Sequence, residues 1–300
     1  LKYIFIKNKK FLKYVNIVLP SLESYKIALK KHSSSKYAYQ MKVPVPKTFR
    51  VKNKSELSSL ESLLKYPIVV KGERGNSSLH VRYANNFDEL KKYFDEIVKL
   101  ERAIDSASLP PMIQEYIGGP TYLSQAIVMN GKVKIVIPHY KFREWPLTGG
   151  VTSRAKTIVE PKLVRYMTDM LEALEWNGEA GMEWKYDKER DEFFFLEMNP
   201  RFEGSLDIAI KSGSNLPSLL VDIMDGKELK NNLEYNSGVH YRWFFTLDFR
   251  CFLYGKSNIY TFIKESLDPR IKGEVSLNDI NVLISFLKSP IYEIVNFIRK

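Results

Sequence analysis

The fold of this chain is decided by residues 193–201, FFFLEMNPR, together with residues 181–184, GMEW, which precede them. Both runs have the apolar content of β-strands, and the polar residues 187–192 between them are typical of a turn. In an antiparallel hairpin centred on that turn, Glu183 faces Glu197. The sequence therefore predicts two carboxylates on one face of a hairpin.

Two further polar side chains extend this face. Asn199 shares the face of Glu197 because side chains alternate along a strand, and Pro200 ends the ladder before Arg201. Carboxylate and amide oxygens are the ligands that Mg²⁺ prefers when nucleotide phosphates and water supply the rest of its shell. We therefore predict that Glu183, Glu197 and Asn199 bind the metal of Mg-ATP.

The composition excludes several classes of protein. The chain has 300 residues, of which 44% are hydrophobic and 27% charged, enough for one large core or two smaller ones. Its single cysteine, Cys251, excludes an internal disulfide and favours a reducing compartment, so we expect a cytoplasmic protein. No apolar run reaches the roughly 18 residues of a membrane span, and residues 1–7 are too short and charged for a signal peptide. We expect no membrane association.

The formal net charge of +11 raises the question of nucleic-acid binding. The lysines are scattered, and Lys-rich, Ile-rich and Asn-rich usage also fits compositional bias, so we do not expect a nucleic-acid partner. A polyanionic nucleotide, in contrast, needs only a few well-placed cations. None of the four histidines has metal-ligand spacing, and Cys251 has no histidine nearby in sequence, so neither zinc nor thiol catalysis is predicted.

The predicted architecture is α+β, in four parts. Residues 1–44 contain an apolar run at 15–19, predicted as a buried strand, followed by a helix-like stretch. Residues 45–118 form a small α+β unit, and residues 119–238 form a larger one with the metal site. Residues 239–300, rich in aromatics, are predicted as a helical extension packed on the larger unit. The elements predicted within the two units are helices at 55–65, 86–101 and 161–175, strands at 67–71, 79–83 and 112–117, and a hairpin about Asn130-Gly131.

A candidate phosphate loop follows the apolar strand that ends at Lys71. Residues 72–78, GERGNSS, are small and flexible, so their backbone amides can approach an anion. Lys71 adds a point charge, and Gly75, Ser77 and Ser78 are the candidate loop contacts. The alternative is an ordinary hairpin loop with an incidental lysine, and we favour phosphate binding because the two glutamates accompany it.

A candidate adenine hinge lies where the strand that begins at Met112 runs into Gly118 and Gly119. Neighbouring C=O and N–H groups of an extended backbone match the exocyclic amine and ring nitrogen of adenine, while apolar side chains cover its faces. An ordinary strand end is the alternative. The candidate residues are Gln114, Glu115, Tyr116 and Ile117.

Residues 139–154 are dense in cations and include the pair Gly149-Gly150. Lys141 and Arg143 alternate with aromatics, so on a strand both point one way, which we predict to be toward the transferring γ-phosphoryl group. A solvated surface strand is the alternative. Ser205 is either a helix N-cap or a ligand to substrate, and we favour the cap as the commoner fate of such a serine.

These segments, in this order, resemble the ATP-grasp superfamily of carboxylate-amine ligases, nearest the carbamoyl-phosphate-synthetase and biotin-carboxylase type, over roughly residues 15–226. The resemblance implies two α+β subdomains that clasp a nucleotide, with a remnant of an N-terminal α/β domain before them. It implies that Lys31 and Lys71 hold the ATP phosphates, and that Gly149-Gly150 belong to a mobile loop that closes over substrate. It also implies that the backbone of Glu115 and Ile117 contacts adenine, and that Arg201 stabilises the acyl phosphate or tetrahedral intermediate. The metal ligands it implies, for two Mg²⁺ or Mn²⁺ ions, are Glu183, Glu197 and Asn199.

Two departures affect what the resemblance implies. Thr121 and Tyr122 stand where many family members place a glutamate for the ribose, and we expect only a remnant of the family's N-terminal domain in this chain. The resemblance implies a ligase that activates a small carboxylate as an acyl phosphate, joins it to an amine or similar nucleophile, and releases ADP and phosphate. The alternatives are an ATP-binding module that takes its N-terminal domain from a partner chain, and a phosphotransferase. A homodimer or a partner subunit is compatible with each.

Overall fold

Two β-sheets, one of four strands and one of seven, line the cleft in which the candidate site lies. The mixture of helices and sheets confirms the predicted α+β class. The computed structural model describes residues 6–7, 9–73, 79–104, 109–146, 149–230, 233–255, 257–274 and 284.

The helices, in chain order, are α1 (Leu22–Leu29), α2 (Lys31–Gln40), α3 (Phe87–Ile104), α4 (Pro161–Ala173), α5 (Leu206–Lys211), α6 (Leu216–Met224), α7 (Phe249–Leu253) and α8 (Ile259–Leu267). The strands are β1 (Thr48–Arg50), β2 (Ile68–Lys71), β3 (Val81–Ala84), β4 (Met112–Glu115), β5 (Thr121–Met129), β6 (Lys132–Trp145), β7 (Val151–Thr157), β8 (Gly178–Asp187), β9 (Glu192–Asn199), β10 (His240–Arg242) and β11 (Ile271–Gly273). Lys9–Lys13 and Lys54–Leu63 form 3₁₀ helices, and Phe244–Asp248 forms a π-helical turn.

The four-stranded sheet is antiparallel throughout, in the order β1-β4-β2-β3. Helix α3 covers one face because its apolar side chains recur every three or four residues. Leu90, Phe94 and Ile97 of this helix are buried against Ile68 and Ile113 of the sheet. The predicted phosphate lysine and the predicted hinge both belong to this sheet.

The seven-stranded sheet has the order β11-β10-β7-β6-β5-β8-β9 and is antiparallel except for the pair β10-β11. One face packs on α1, α2 and α4 around Trp176, Trp184 and Phe195. The other face packs on α5 and α6 around Ile127 and Ile137. Because helices cover both faces, β5 is buried along almost its whole length, including the polar residues Ser124 and Gln125.

Two predicted local signals are confirmed. Asn130 and Gly131 join β5 to β6 with φ angles of 53° and 68°, the left-handed backbone that a two-residue hairpin turn requires. Helix α4 lies within the helix predicted at 161–175 and starts with a proline. The Glu160 carboxylate caps it by accepting a hydrogen bond from the backbone N–H of Lys162 at 3.2 Å. Turn and cap chemistry therefore agree with the topology.

The strand predicted at residues 15–19 is wrong. This described stretch forms no strand, Val15 is 43% exposed, and Val18 packs over Gly178 at the start of β8. Apolar content alone does not make a strand, because a strand also needs a neighbour for its backbone hydrogen bonds. The helix-like stretch that follows consists of α1 and α2, separated by the extended backbone of Lys30 (φ −112°, ψ 122°).

Residues 239–274 correct the prediction of a purely helical extension. Besides α7 and α8, they contribute β10 and β11 to the seven-stranded sheet. Tyr241 and Trp243 are buried with Ala155 of β7 and Ile208 of α5, and this shared apolar cluster holds β10 against β7. The extension therefore continues the large sheet. In the part of the chain that the structure describes, every helix is too short or too polar to cross a membrane.

Candidate active site

The hairpin of β8 and β9 has the register predicted from the sequence. Glu183 lies opposite Glu197, and Gly181 lies opposite Asn199. A β-bulge falls between Glu183 and Trp184, on the turn side of the glutamates, so it leaves the pairing at the open end intact. Both glutamates and Asn199 line one cleft. The prediction that the three side chains share a face is confirmed.

The cleft has a volume of about 230 Å³ and is bordered by both sheets. Arg143 is not among its lining residues, and Gly75, Ser77 and Ser78 lie outside the described residues. The predicted site residues that line the cleft are Lys31, Lys71, Gln114, Glu115, Tyr116, Ile117, Lys141, Glu183, Glu197, Asn199 and Arg201.

Lysines neutralise the two carboxylates to different extents. Lys141 Nζ lies 2.9 Å from Glu183 Oε1, and Lys31 Nζ lies 3.4 Å from Glu197 Oε2. Burial raises the pKa of Glu183, and the charge of Lys141 opposes this only in part. Burial also acts to raise the pKa of Glu197, but Lys31 and Lys71 outweigh it, so this pKa is lowered. The site therefore holds one firmly ionised carboxylate and one that needs a neighbouring cation.

Lys71 is buried at the end of β2, with its Nζ 3.4 Å from the carbonyl oxygen of Leu196. Burial, together with the nearby charge of Lys31, lowers the pKa of Lys71 to about 8. The side chain is still mostly a cation at neutral pH. It thus carries a positive charge from the small sheet to the backbone of β9 beside Glu197.

Glu73 ties the two lysines together and was missed by the sequence analysis. Its carboxylate accepts hydrogen bonds from the backbone N–H of His32 at 3.0 Å and from Arg50 Nη2 at 2.7 Å. Lys31 is the first residue of α2, and Lys71 lies two residues before Glu73. One carboxylate therefore links the start of the predicted phosphate loop to the helix that carries Lys31.

Both the side chain and the backbone N–H of the hinge residue Glu115 have protein partners. The Glu115 carboxylate lies 3.0 Å from Arg190 Nη2 and accepts a hydrogen bond from the backbone N–H of Lys47 at 3.1 Å. The backbone N–H of Glu115 is also engaged, donating to the carbonyl oxygen of Lys47 at 2.8 Å. The carbonyl of Glu115 and the backbone of Ile117 are then the candidate adenine contacts.

The two other hinge residues have protein partners. Gln114 Nε2 donates to Thr48 Oγ1 at 2.8 Å, which fastens β4 to β1. The Tyr116 ring packs edge to face on Tyr83, with 5.7 Å between ring centroids. Both side chains border the cleft, and these contacts shape its wall.

The prediction that Lys141 and Arg143 point the same way is wrong. The pairing of β6 with β7 changes register on both sides of Arg143, which interrupts the alternation. Lys141 stays in the cleft, where its Nζ also donates to the carbonyl oxygen of Gly150 at 2.9 Å. Arg143 points to the C-terminal extension, where its Nε and Nη2 donate to the Asp248 carboxylate at 2.7 and 3.0 Å. Arg143 is a structural ion-pair partner, and we assign it no catalytic role.

The same irregularity turns Glu144 into the cleft. Glu144 Oε2 lies 2.8 Å from Lys141 Nζ. Burial acts against the charged form of Lys141, but Glu183 and Glu144 outweigh it and raise the pKa of this lysine. Lys185 also lines the cleft, and its Nζ donates to the carbonyl oxygen of Gly119 at 3.0 Å. The sequence carries no local signal for Glu144, whereas alternation along β8 could have revealed Lys185.

Arg201 and Glu203 lie just beyond the hairpin. The Arg201 side chain is 49% exposed at the cleft rim, with its Nη2 3.5 Å from Asn199 Oδ1. Glu203 was missed by the sequence analysis, although it lines the cleft. Burial raises the pKa of Glu203 to about 7. Its Oε1 accepts a hydrogen bond from Asn199 Nδ2 at 2.9 Å.

Ser205 precedes α5, but its side chain makes no capping hydrogen bond, so the favoured capping role is wrong. Its Oγ lies 2.9 Å from His139 Nε2 and the residue borders the cleft. Burial lowers the pKa of His139 to about 3, so the imidazole is neutral at physiological pH. A neutral histidine therefore orients this hydroxyl in place of the helix.

The donor set can be tested against the expected metal. In the residues that the structure describes, no group of three or more acidic, histidine or cysteine side chains surrounds a common point. What Glu183, Glu197 and Asn199 offer is two carboxylates and an amide oxygen on one face. This set fits Mg²⁺ or Mn²⁺ ions that take their other ligands from phosphates and water, and it does not fit a metal held by protein alone.

Comparison with known proteins agrees with this geometry. Residues 108–247 match the family model described as "ATP-grasp in the biosynthetic pathway with Ter operon". The matched segment is similar to ATP-grasp domains. The matched segment includes the hinge, the hairpin of β8 and β9, and Arg201.

Relatives and solved structures extend the similarity beyond that segment. The chain is 28% identical over 238 residues to the carbamoyl phosphate synthase large chain of Clostridium acetobutylicum, and the alignment covers 75% of this chain and 21% of the relative. The chain thus spans about a fifth of that relative's length.

Two solved structures share the fold. The biotin carboxylase domain of the Hydrogenobacter thermophilus 2-oxoglutarate carboxylase, solved with MgADP and bicarbonate, matches with a TM-score of 0.67 and 16% identity, over 79% of this chain and 54% of that one. The L-amino acid ligase of Bacillus licheniformis matches with a TM-score of 0.54 and 19% identity, over 68% and 49% of the two chains. The predicted ATP-grasp fold is confirmed.

Proposed function

We propose that this ATP-grasp chain is an ATP-dependent ligase that activates a small carboxylate as an acyl phosphate and joins it to an amine or similar nucleophile, releasing ADP and phosphate. The observation that carries the proposal is the cross-strand pair of Glu183 and Glu197 in a cleft that also contains Lys31, Lys71 and Lys141. Cations suit the phosphates, and hard oxygens suit the metal that accompanies them.

In the proposed complex, the adenine lies at the hinge backbone and the triphosphate lies along the lysines. Glu183, Glu197 and Asn199 would hold two Mg²⁺ or Mn²⁺ ions, and these ions would supply positive charge to the phosphates. Lys141 and Lys31 now pair with the carboxylates. With cations bound at the carboxylates, these two lysines would be available to the phosphates.

The proposed reaction has two steps. An oxygen of the substrate carboxylate attacks the γ-phosphorus, the bond to ADP breaks, and an acyl phosphate forms. The amine then attacks the acyl carbon, phosphate leaves with the bonding electron pair, and the amine proton passes to solvent. Arg201 supplies positive charge for the oxyanion at the acyl carbon, and Lys141 does so for the transferring phosphoryl group. Closure of the loop at Gly149-Gly150 would protect the acyl phosphate from water.

The domain boundaries are also a proposal. We infer boundaries after residues 44, 118 and 238, so that 45–118 and 119–238 are the two subdomains that clasp ATP. The four-stranded sheet and strands β5 to β9 lie within these ranges, which supports the division. We infer that the chain acts on small-molecule substrates and forms a homodimer or joins a partner subunit.

The test is a screen for phosphate and ADP release from Mg-ATP with pooled small carboxylates and amines. The wild-type chain should release ADP only when a suitable pair of substrates is present. Glu197→Gln should abolish that release while its circular dichroism spectrum and melting temperature stay close to those of the wild type, because the carboxylate is lost without a change of shape. Full activity of the E197Q variant would refute the assignment.

An ATP-binding module that needs a partner chain is the second candidate. The contacts assigned above account for the nucleotide and its metals, and Arg201 alone is assigned to the acyl group, an arrangement that also fits such a module. Calorimetry with Mg-ATP separates the two candidates: binding with substrate-dependent turnover supports the ligase, and binding without turnover in the full screen supports the module.

A further inference from the structure

Glu203 folds back over the end of the hairpin. The chain leaves β9 at Asn199 and returns within four residues, so that the Glu203 carboxylate is buried, with 8% of its side chain exposed. Glu203 Oε1 accepts a hydrogen bond from Asn199 Nδ2 at 2.9 Å. A buried carboxylate therefore contacts the amide that the proposed function assigns to the metal.

Gly181 provides the space that this carboxylate occupies. It lies directly opposite Asn199 in the register of β8 and β9. A Cβ atom at Gly181 would lie 2.1 Å from Glu203 Oε1, 2.5 Å from Cγ and 2.6 Å from Cδ. Gly181 is not among the described glycines with positive φ, so its backbone would accept alanine. The obstacle to a side chain at residue 181 is therefore the Glu203 side chain. Its Cγ and Cδ atoms, as well as its carboxylate oxygen, lie too close to a Cβ.

The contact decides which end of the Asn199 amide is presented to the cleft. Asn199 Nδ2 is turned to two carboxylate oxygens, Glu203 Oε1 at 2.9 Å and Glu197 Oε1 at 3.4 Å, and Glu203 is the nearer of the two. The Asn199 Oδ1 is then directed to the other side, where Arg201 Nη2 lies 3.5 Å away. Without Glu203 only the longer contact to Glu197 would hold the amide, and the proposed function assigns the Glu197 carboxylate to the metals. The amide could then turn over and present N–H groups, which cannot bind a cation.

We propose that Glu203 is a positioning residue that holds the Asn199 amide with its oxygen toward the metals, and that Gly181 is required because it leaves room for the Glu203 carboxylate. This inference rests on the proposed function, which assigns Asn199 as a metal ligand. It gives the glycine of the Gly-x-Glu segment a role distinct from strand pairing. A positioning partner of a ligand commonly changes metal affinity by about 10- to 100-fold when removed.

The experiment measures Mn²⁺ affinity by electron paramagnetic resonance, with a saturating non-hydrolysable ATP analogue. Glu203→Gln should stay within about threefold of the wild type because its amide oxygen still accepts from Asn199, whereas Glu203→Ala should bind about 10- to 100-fold more weakly. Gly181→Ala should weaken binding similarly. The double variant G181A/E203A should be no weaker than E203A alone, because both changes remove the same contact.

A second readout does not depend on metal. In the apo protein, Gly181→Ala should lower the melting temperature through the clash, and adding Glu203→Ala to that variant should raise it again. Gly273→Ala is the matched control, since a Cβ at Gly273 meets nothing within 4 Å, and it should change neither quantity.

Three results would overturn the inference: E203Q binding Mn²⁺ as weakly as E203A, G181A binding like the wild type, or additive losses in the double variant. If the wild-type chain binds the nucleotide analogue but takes up no Mn²⁺ beside it, the metal assignment of the proposed function itself is overturned. In that case the apo melting temperatures still decide whether Gly181 and Glu203 are coupled.

Discussion

The hairpin of β8 and β9 and the segment Lys141 to Glu144 of β6 lie in one sheet and border one cleft, yet the alternation rule succeeds in the first and fails in the second. Each contains a bulge. In the hairpin the bulge falls after Glu183, so the two glutamates keep their pairing. In β6 the register shifts flank Arg143 itself, so side chains no longer alternate between the two faces of the strand at that point. The position of a bulge relative to a site residue decides whether sequence spacing predicts its direction.

The partners also differ in sequence distance. Glu183 and Glu197 are joined by a short turn, in which Asp187 Oδ1 accepts hydrogen bonds from the backbone of Glu189 at 2.9 Å and Arg190 at 3.2 Å. Arg143 is directed by Asp248, which is fully buried and lies 105 residues later. A buried carboxylate needs a cation, and nothing near Arg143 in the sequence signals that need.

The hairpin is tested most strongly by Glu183→Gln. We expect substrate-dependent phosphate release to fall by about 100-fold or more. The substitution removes a carboxylate charge that the proposed function assigns to the metal ions. The measurement is a steady-state phosphate-release assay on folded protein. Glu189→Gln, in the exposed turn of the same hairpin, is the control and should retain wild-type activity. Equal activity of E183Q and E189Q would contradict the site.

The β6 segment is tested by Arg143→Met. The free energy of unfolding should fall by about 3 kcal/mol, because Asp248 loses one of its buried partners, while turnover per folded molecule stays within about threefold of the wild type. Urea unfolding and the phosphate-release assay measure the two effects. Arg190→Met is the control: this half-exposed arginine pairs with Asp187 and Glu115, and its loss should change stability by at most about 1 kcal/mol. A stable but inactive R143M variant would restore the catalytic role.

Lys71 extends the comparison to the small sheet and predicts a pH dependence. Burial lowers the pKa of Lys71 to about 8 in the absence of nucleotide. A bound triphosphate favours the protonated form, so the bound state holds this proton more tightly. Affinity for the nucleotide analogue should therefore be steady below about pH 8 and fall above it, by up to about tenfold per pH unit.

Calorimetry between about pH 7 and about pH 9 measures this dependence. Lys71→Met should bind more weakly throughout and should lose the decline above about pH 8. An unchanged decline in K71M would assign the titration to another group.

The smallest effect is expected at the hinge. Glu115→Gln should change nucleotide affinity by less than about twofold, because the carboxylate faces Arg190 and Lys47 and a half-exposed ion pair contributes little. Fluorescence titration with a labelled ATP analogue is precise enough to detect a larger change. A tenfold loss would show that the side chain, and not the backbone, contacts the nucleotide.

Much of the fold and part of the site could be predicted because their signals are local. Apolar runs, the Asn130-Gly131 turn and the spacing of Glu183 from Glu197 each act within a few residues. The strand at residues 15–19 could not be judged, because pairing depends on what lies beside the run and not on its own composition.

The remaining site residues depend on contacts between distant segments. Glu73 meets the start of α2, Glu203 fills the space above Gly181, and Ser205 meets His139 across the sheet. None of these pairings has a spacing rule. The two strands of the extension were missed for the same reason, since β10 depends on an apolar cluster shared with β7.

The central claim is that the shared face of Glu183 and Glu197 holds divalent cations together with a triphosphate. Anomalous diffraction at the manganese edge, from crystals grown with Mn²⁺ and a non-hydrolysable ATP analogue, tests it most directly. The account predicts anomalous peaks at coordination distance from both carboxylates and from the β- and γ-phosphates. Bound nucleotide whose phosphates lie away from this face, or manganese peaks that contact neither glutamate, would contradict it.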